Sequence, residues 1–175
     1  KGKEVNIRED QYGEALKKFQ SAILNLSYHY VDTFFSKIGR TPVKLNIDID
    51  SMWIVQQLES DWNPLHAHES RSPSGLSGVF YLQQPKELES LQKNLQEAVS
   101  PKEKGGQHAG TIQLPFGPNI MPDFDNFISP EIVSCPPEPG LLILFPKRAA
   151  HQVPSFSDEG ERICIAFNVD VWYEE

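Results

Sequence analysis

Three histidines are the residues best suited to chemistry in this chain. His66-Ala67-His68 sits mid-chain, His151 lies 83 residues beyond His68, and Arg162 follows eleven residues later. In an extended strand the i, i+2 spacing puts both imidazoles on one face. Only a folded sheet can bring His151 to the same point. Three neutral imidazoles around a divalent cation, with positions open opposite them, make an iron-type site. The usual iron facial triad has two histidines and a carboxylate. Here His68 stands where a His-x-Asp or His-x-Glu motif would carry its acid. Glu69 is adjacent, and a regular strand would turn it to the opposite face; a bulge would bring it back. The expected set is His66, His68 and His151, with Glu69 as the substitute for one of the first two. His29, in a helical stripe, and His108, in a Gly-rich loop, occupy no ligand position.

Arg162 heads the run Arg162-Ile163-Cys164-Ile165-Ala166-Phe167-Asn168-Val169. Alternation puts Ile163, Ile165, Phe167 and Val169 on a core face, and Arg162, Cys164, Ala166 and Asn168 on a face that is small or polar. A guanidinium turned into a cavity there binds a carboxylate through two parallel hydrogen bonds. The plain alternative is a surface arginine paired with Glu161 or Asp158.

The elements that must position these groups read as helix first and strands afterwards. Residues 9–40 carry apolar residues at three- and four-residue spacing (Tyr12, Leu16, Phe19, Ile23, Leu26), an amphipathic stripe. A second short helix is expected over Tyr28–Ile38, closed by Gly39 ahead of Thr41-Pro42. Strands follow at 43–49, 51–58 and 77–82, with Asp61-Trp62-Asn63-Pro64 as a turn feeding the histidine pair. Lys86–Val99 is polar and helix-favouring, an insertion followed by a loop at 100–109. Further strands are expected at 110–114, 131–134, 140–145 and 162–171. The apolar run Leu141–Phe145 suits a central strand covered on both faces. Ten of the fourteen prolines fall between 101 and 154, so that half is turn-rich and fits short strands rather than a bundle.

With 175 residues, the chain reads as one domain: a helical N-terminal support at 1–42 and a β-rich body at 43–175 that carries the insertion at 86–99. A net charge of −8 argues against broad binding to nucleic acid or anionic membranes. No apolar run reaches the length of a membrane span, and the first residues lack the apolar core of a signal peptide. Two distant cysteines, Cys135 and Cys164, are expected as reduced thiols. Together these readings predict a soluble, cytoplasmic protein.

Two segments of the chain resemble a known family. Asn63-Pro64-Leu65-His66-Ala67-His68 followed by Leu76-Ser77-Gly78-Val79-Phe80-Tyr81-Leu82 is similar to the 2-oxoglutarate–Fe(II) oxygenases, whose hallmark reads roughly N-x-x-H-x-H…SGVYYL. Pro139–Pro146, His151-Gln152-Val153-Pro154 and Glu161–Asn168 resemble the closing motif of the same family. The likeness covers about half the chain; the N-terminal helices and the stretch at 86–109 carry none of it. The resemblance implies a mainly β fold, a double-stranded β-helix (jelly roll, cupin-like), with the N-terminal helices packed on one sheet. It implies Fe(II) held by His66, His68 and His151, and 2-oxoglutarate gripped through its distal carboxylate by Arg162, with Tyr81 as a second grip. Asn63 and Asn168 would orient imidazoles or cosubstrate. The implied reaction uses O2 and decarboxylates 2-oxoglutarate to succinate and CO2 while oxidising a second substrate.

Two other readings stay open at this stage. A three-histidine jelly roll also resembles the cupin dioxygenases, which bind their organic substrate directly to iron; Arg162 would then hold that substrate's carboxylate. A non-catalytic jelly-roll binding module is the third, and an open coordination sphere speaks against it. The substrate, a small molecule or a peptide, is not legible, although the polar, Pro-rich stretches 69–76 and 115–130 are expected at the barrel mouth. Oligomeric state stays open, a homodimer included.

Overall fold

The computed structural model describes residues 2–42, 44–69, 72, 74–85, 110–116, 131–157 and 159–174. The insertion expected at 86–99, the loop at 100–109 and most of 115–130 lie outside the described residues, as does part of 69–76. In chain order the elements are β1 (Lys3–Asn6), α1 (Glu9–Lys37), β2 (Lys44–Gln57), β3 (Asn63–His66), β4 (Ser74–Gln83), β5 (Ile112–Phe116), β6 (Glu131–Cys135), β7 (Leu142–Pro146), β8 (His151–Val153) and β9 (Arg162–Glu174). A five-stranded sheet runs β1-β2-β9-β4-β7 and a four-stranded sheet β3-β8-β5-β6. Every pairing is antiparallel.

The amphipathic stripe forms one long helix, interrupted at Gly13 (φ 58°), where only glycine adopts that backbone cheaply. No second helix begins at Tyr28: nothing between 21 and 30 breaks the helical pattern. Gly39, at φ 69°, ends it as expected. Leu16, Ile23, Val31 and Phe35 pack on Met52, Leu76, Phe167, Val169 and Val171 of the large sheet. Leu26, counted into the stripe by spacing, lies on the exposed flank, and the buried Ser27 takes the inward position. This is the helix-on-one-sheet arrangement the sequence implied.

Between the sheets lies a second core of Val55, Val79, Tyr81, Ile112, Leu114, Phe145, Val153 and Cys164. Alternation along β9 separates the two cores as expected, with Ile165, Phe167 and Val169 toward the helix and Cys164 and Ala166 inward. Gly78 is required by this packing, because a Cβ there would lie 2.3 Å from the Phe167 ring.

Four further expectations change. Residues 1–42 are not wholly helical, since Lys3–Asn6 pairs with β2 as an edge strand. The strands read at 43–49 and 51–58 are one, bent by a register shift between Ile49 and Ser51. Asn63-Pro64 lies in β3 rather than in a turn; edge position tolerates the proline. The apolar run at 141–145 forms β7, which lies at the end of its sheet among the described residues instead of at the centre. Its residues are apolar because both faces are covered: Leu142 and Leu144 meet the helix-side core, and Leu141 and Ile143 meet the inner one.

Both cysteines are free thiols. Among the described residues no helix is long and apolar enough to cross a membrane.

Candidate metal centre

Strand pairing solves the problem of distance along the chain. His66 ends β3 directly opposite His151 of β8. His68 lies just past the strand, where its N–H donates to the Lys147 carbonyl at 3.1 Å. One ligand atom from each of the three rings comes within 4.8 Å of the others. Glu69 is exposed and outside this set.

The hydrogen bonds prepare two of the rings to present Nε2. Nδ1 of His66 lies 2.7 Å from the Pro64 carbonyl, and Nδ1 of His151 lies 3.0 Å from the Ala149 carbonyl. A carbonyl only accepts, so both Nδ1 atoms carry a proton and Nε2 is the ring nitrogen left to face a metal. Nε2 of His68 is 3.2 Å from Nε2 of His151. Burial first, then the neighbouring rings and Lys147, push His68 down to about 4. Burial also takes His151 to about 4, against its bond to Ala149. Both are therefore neutral at pH 7, the form that binds a metal. Three imidazole nitrogens converging with no carboxylate among the described residues fit Fe(II) or a similar borderline cation.

Asn168 stands behind His68, its amide nitrogen 3.4 Å from the ring's Nδ1. Ser77 donates to the Asn168 carbonyl oxygen at 2.7 Å, and the amide donates to Ser51 at 3.1 Å. Asn63 lines the same cavity, its Oδ1 buried without a partner.

A cavity of about 230 Å³ joins this centre to Arg162. The guanidinium is 2% exposed. It donates to Gln57 Oε1 at 2.5 Å, to the Tyr81 hydroxyl at 3.3 Å and to Cys164 Sγ at 3.7 Å. It also lies 5.0 Å from the centroid of the Tyr81 ring. Its Nε has no partner. Arg162 is thus an inner-face residue rather than the surface arginine of the plain alternative, and Asp158 lies outside the described residues. Tyr81 is fully buried, which pushes it up to about 12 against the opposing pull of Arg162. It remains a phenol.

Several contributors were not singled out in the sequence. Trp53 lines the cavity with its ring 5.9 Å from that of His68. Gln57 was read only as part of a strand, although it continues the inward alternation Trp53, Val55, Gln57. Lys147, 1% exposed, pairs with Asp170 at 3.0 Å and Asp50 at 3.5 Å. Nothing in its local sequence marks Lys147 as buried.

The family model described as "Putative 2OG-Fe(II) oxygenase" matches residues 51–168, more than half of the chain. The chain belongs to this oxygenase family. Fe(II) and 2-oxoglutarate are the cofactors of the family, and the three-imidazole set of this oxygenase is one able to hold the metal. No curated protein matches its sequence. Solved structures match its fold. A Pseudomonas putida prolyl-4-hydroxylase is 14% identical with a TM-score of 0.52, over 99% of this chain and 72% of that one. AviO1 from Streptomyces viridochromogenes Tue57 is 11% identical with a TM-score of 0.57, over 95% and 66%. SnoN, a non-heme alpha ketoglutarate dependent epimerase from nogalamycin biosynthesis, is 13% identical with a TM-score of 0.57, over 99% and 63%. The oxygenase therefore spans about two thirds of the length of these structures. At such identities they establish the double-stranded β-helix and nothing finer.

Proposed function

We propose that this chain is a single catalytic domain that oxidises a small-molecule or peptide substrate with O2 and 2-oxoglutarate. His66, His68 and His151 hold Fe(II), and Arg162 and Tyr81 hold the distal carboxylate of 2-oxoglutarate. The observation that carries this reading is one cavity lined both by three converging imidazoles, two of them held neutral by burial, and by a buried arginine with no carboxylate partner among the described residues. When bound, the metal and cosubstrate supply the oxidising chemistry, and 2-oxoglutarate leaves as succinate and CO2.

The chain's own residues bind and orient. Arg162 donates to the Tyr81 oxygen, so the phenolic hydrogen is free to point at the carboxylate. Asn168 sets the tautomer of His68. With the amide nitrogen toward Nδ1, the His68 proton sits on Nε2 and is shared with His151. Presenting Nε2 to a metal requires the proton on Nδ1, with the Asn168 carbonyl turned to accept it. The Ser51 and Ser77 hydroxyls can each donate or accept, so the turned amide keeps its partners. The apolar inner core around Val79, Phe145 and Val153 keeps bulk water from the metal side of the cavity.

A second reading rests on the donor set itself. Three imidazoles without an acid also suit direct chelation of an organic substrate, with Arg162 holding that substrate's carboxylate. Anaerobic titration with Fe(II) and then 2-oxoglutarate separates the two. The expected result is a visible metal-to-ligand charge-transfer band that is lost in His151→Ala and weakened in Arg162→Ala. Iron binding with no band favours direct chelation. Absence of stoichiometric metal binding overturns both.

A further inference from the structure

Arg162 is a buried cation whose partners among the described residues are all neutral. On β2, Gln57 stands directly across the ladder from Arg162. That is the position from which an acid would make a bidentate pair with the guanidinium. The chain places an amide there, fully buried. A guanidinium has no acceptor, so the amide must turn its oxygen toward Arg162. The amide nitrogen is thereby left over, and it has no hydrogen-bond partner. Arg162 Nε is likewise unpartnered. Two buried, unsatisfied donor groups and one uncompensated positive charge thus stand side by side on neighbouring strands. Groups of this kind are costly to bury without acceptors. What completes them is an anion with several lone pairs.

The other buried cation of the fold shows that such compensation can come from the chain. Lys147 is as buried as Arg162 and is held between Asp170 and Asp50.

We propose that Gln57 is a specificity-determining residue of the cosubstrate site: it fixes the guanidinium without neutralising it and offers its own amide N–H to the incoming carboxylate. The proposal rests on the reading of Arg162 as the carboxylate anchor. An amide at 57 makes the site select a 2-oxo acid with a charged distal end. A carboxylate at 57 would fill the guanidinium's donors and cancel its charge.

The test uses the whole chain loaded anaerobically with Fe(II), titrated separately with 2-oxoglutarate and with 2-oxoglutaramate, which carries an amide in place of the distal carboxylate. Wild type is expected to prefer 2-oxoglutarate by at least tenfold. Gln57→Glu is expected to bind Fe(II) as wild type does, to bind 2-oxoglutarate about 100-fold more weakly, and to lose or reverse the preference. Its metal-free form should melt higher, because the new carboxylate compensates Arg162. A merely structural glutamine would not move the preference between the two oxo acids. Gln57→Leu, which adds no charge, should weaken 2-oxoglutarate about tenfold and keep the sign of the preference. If Arg162→Ala abolishes 2-oxoglutarate binding while Gln57→Glu retains wild-type affinity and preference, the inference about Gln57 fails and the Arg162 reading stands. If Arg162→Ala binds 2-oxoglutarate as wild type does, the anchor reading itself fails. A Gln57→Glu protein that melts lower and loses Fe(II) as well, together with unaltered binding in Gln57→Leu, also overturns the inference.

Discussion

The two buried cations among the described residues are held in opposite ways. Lys147 lies between two aspartates, and its partner Asp170 also accepts a 3.1 Å bond from Ser72. Arg162 lies among a glutamine, a tyrosine and a thiol. The first cluster is closed by the chain and clamps it. Through its main chain Lys147 also donates to Gly75 and accepts from His68, tying the metal-binding segment to the large sheet. The second cluster is left open at a cavity. A buried charge that the fold neutralises is part of the fold, whereas one left uncompensated is a candidate anchor for a ligand.

Substitutions test that contrast. The largest effect is expected for Lys147→Met, which takes the ammonium away from the buried Asp170 and the half-buried Asp50 and should cost about 3–5 kcal/mol of stability. Urea denaturation of the metal-free protein measures it, and wild-type stability would remove Lys147 from the structural side of the contrast. Asn168→Ala removes the group behind His68 and should weaken Fe(II) by about 10–100-fold, with a much smaller change in urea midpoint. A competition assay with a colorimetric chelator reads the affinity.

Acid gives a third handle, through the two buried imidazoles. His68 and His151 fall from an ordinary 6.5 to about 4 in the folded protein. The unfolded chain therefore binds more protons between those values, and stability is lost as pH falls from 6.5 toward 4. Melting of the metal-free protein across that window should show the loss, and His68→Gln should flatten it. An identical slope in the variant would place the acid sensitivity elsewhere.

The smallest effect is expected for the double variant Arg162→Met with Gln57→Leu. Replacing both buried polar partners by apolar groups of similar shape is nearly neutral or stabilising. The metal-free protein should melt within a few degrees of wild type while the 2-oxoglutarate charge-transfer band disappears. A loss as large as that of Lys147→Met would show that Arg162 is also part of the scaffold.

The legible parts were those written in local spacing. Alternation along Arg162–Val169 separated the two faces correctly, and Leu16, Phe19 and Ile23 of the stripe announced the helix and its buried side, while Leu26 fell on the exposed flank. Element ends were less legible. The bulge at Asp50 joins two apparent strands into one, and it is set by the register with β9 rather than by any residue type. The edge position of Leu142–Pro146 was misread because an apolar run reports coverage of both faces, not rank within a sheet. Gln57 escaped notice for a related reason. A strand glutamine is an ordinary solvated residue until its neighbour across the ladder is known.

By itself the sequence determined which residue types were available: the paired imidazoles, the third histidine after a strand, and an arginine on a small-residue face. Those properties follow from backbone periodicity, which acts over a few residues. Only the tertiary structure decided which of them meet. Pairing of β3 with β8 brings His66 opposite His151, and pairing of β2 with β9 brings Gln57 opposite Arg162. The structure also decided the charge states, since burial makes two imidazoles neutral and leaves one guanidinium without a counterion among the described residues. Desolvation depends on every element packed around a group, and no window of sequence contains it.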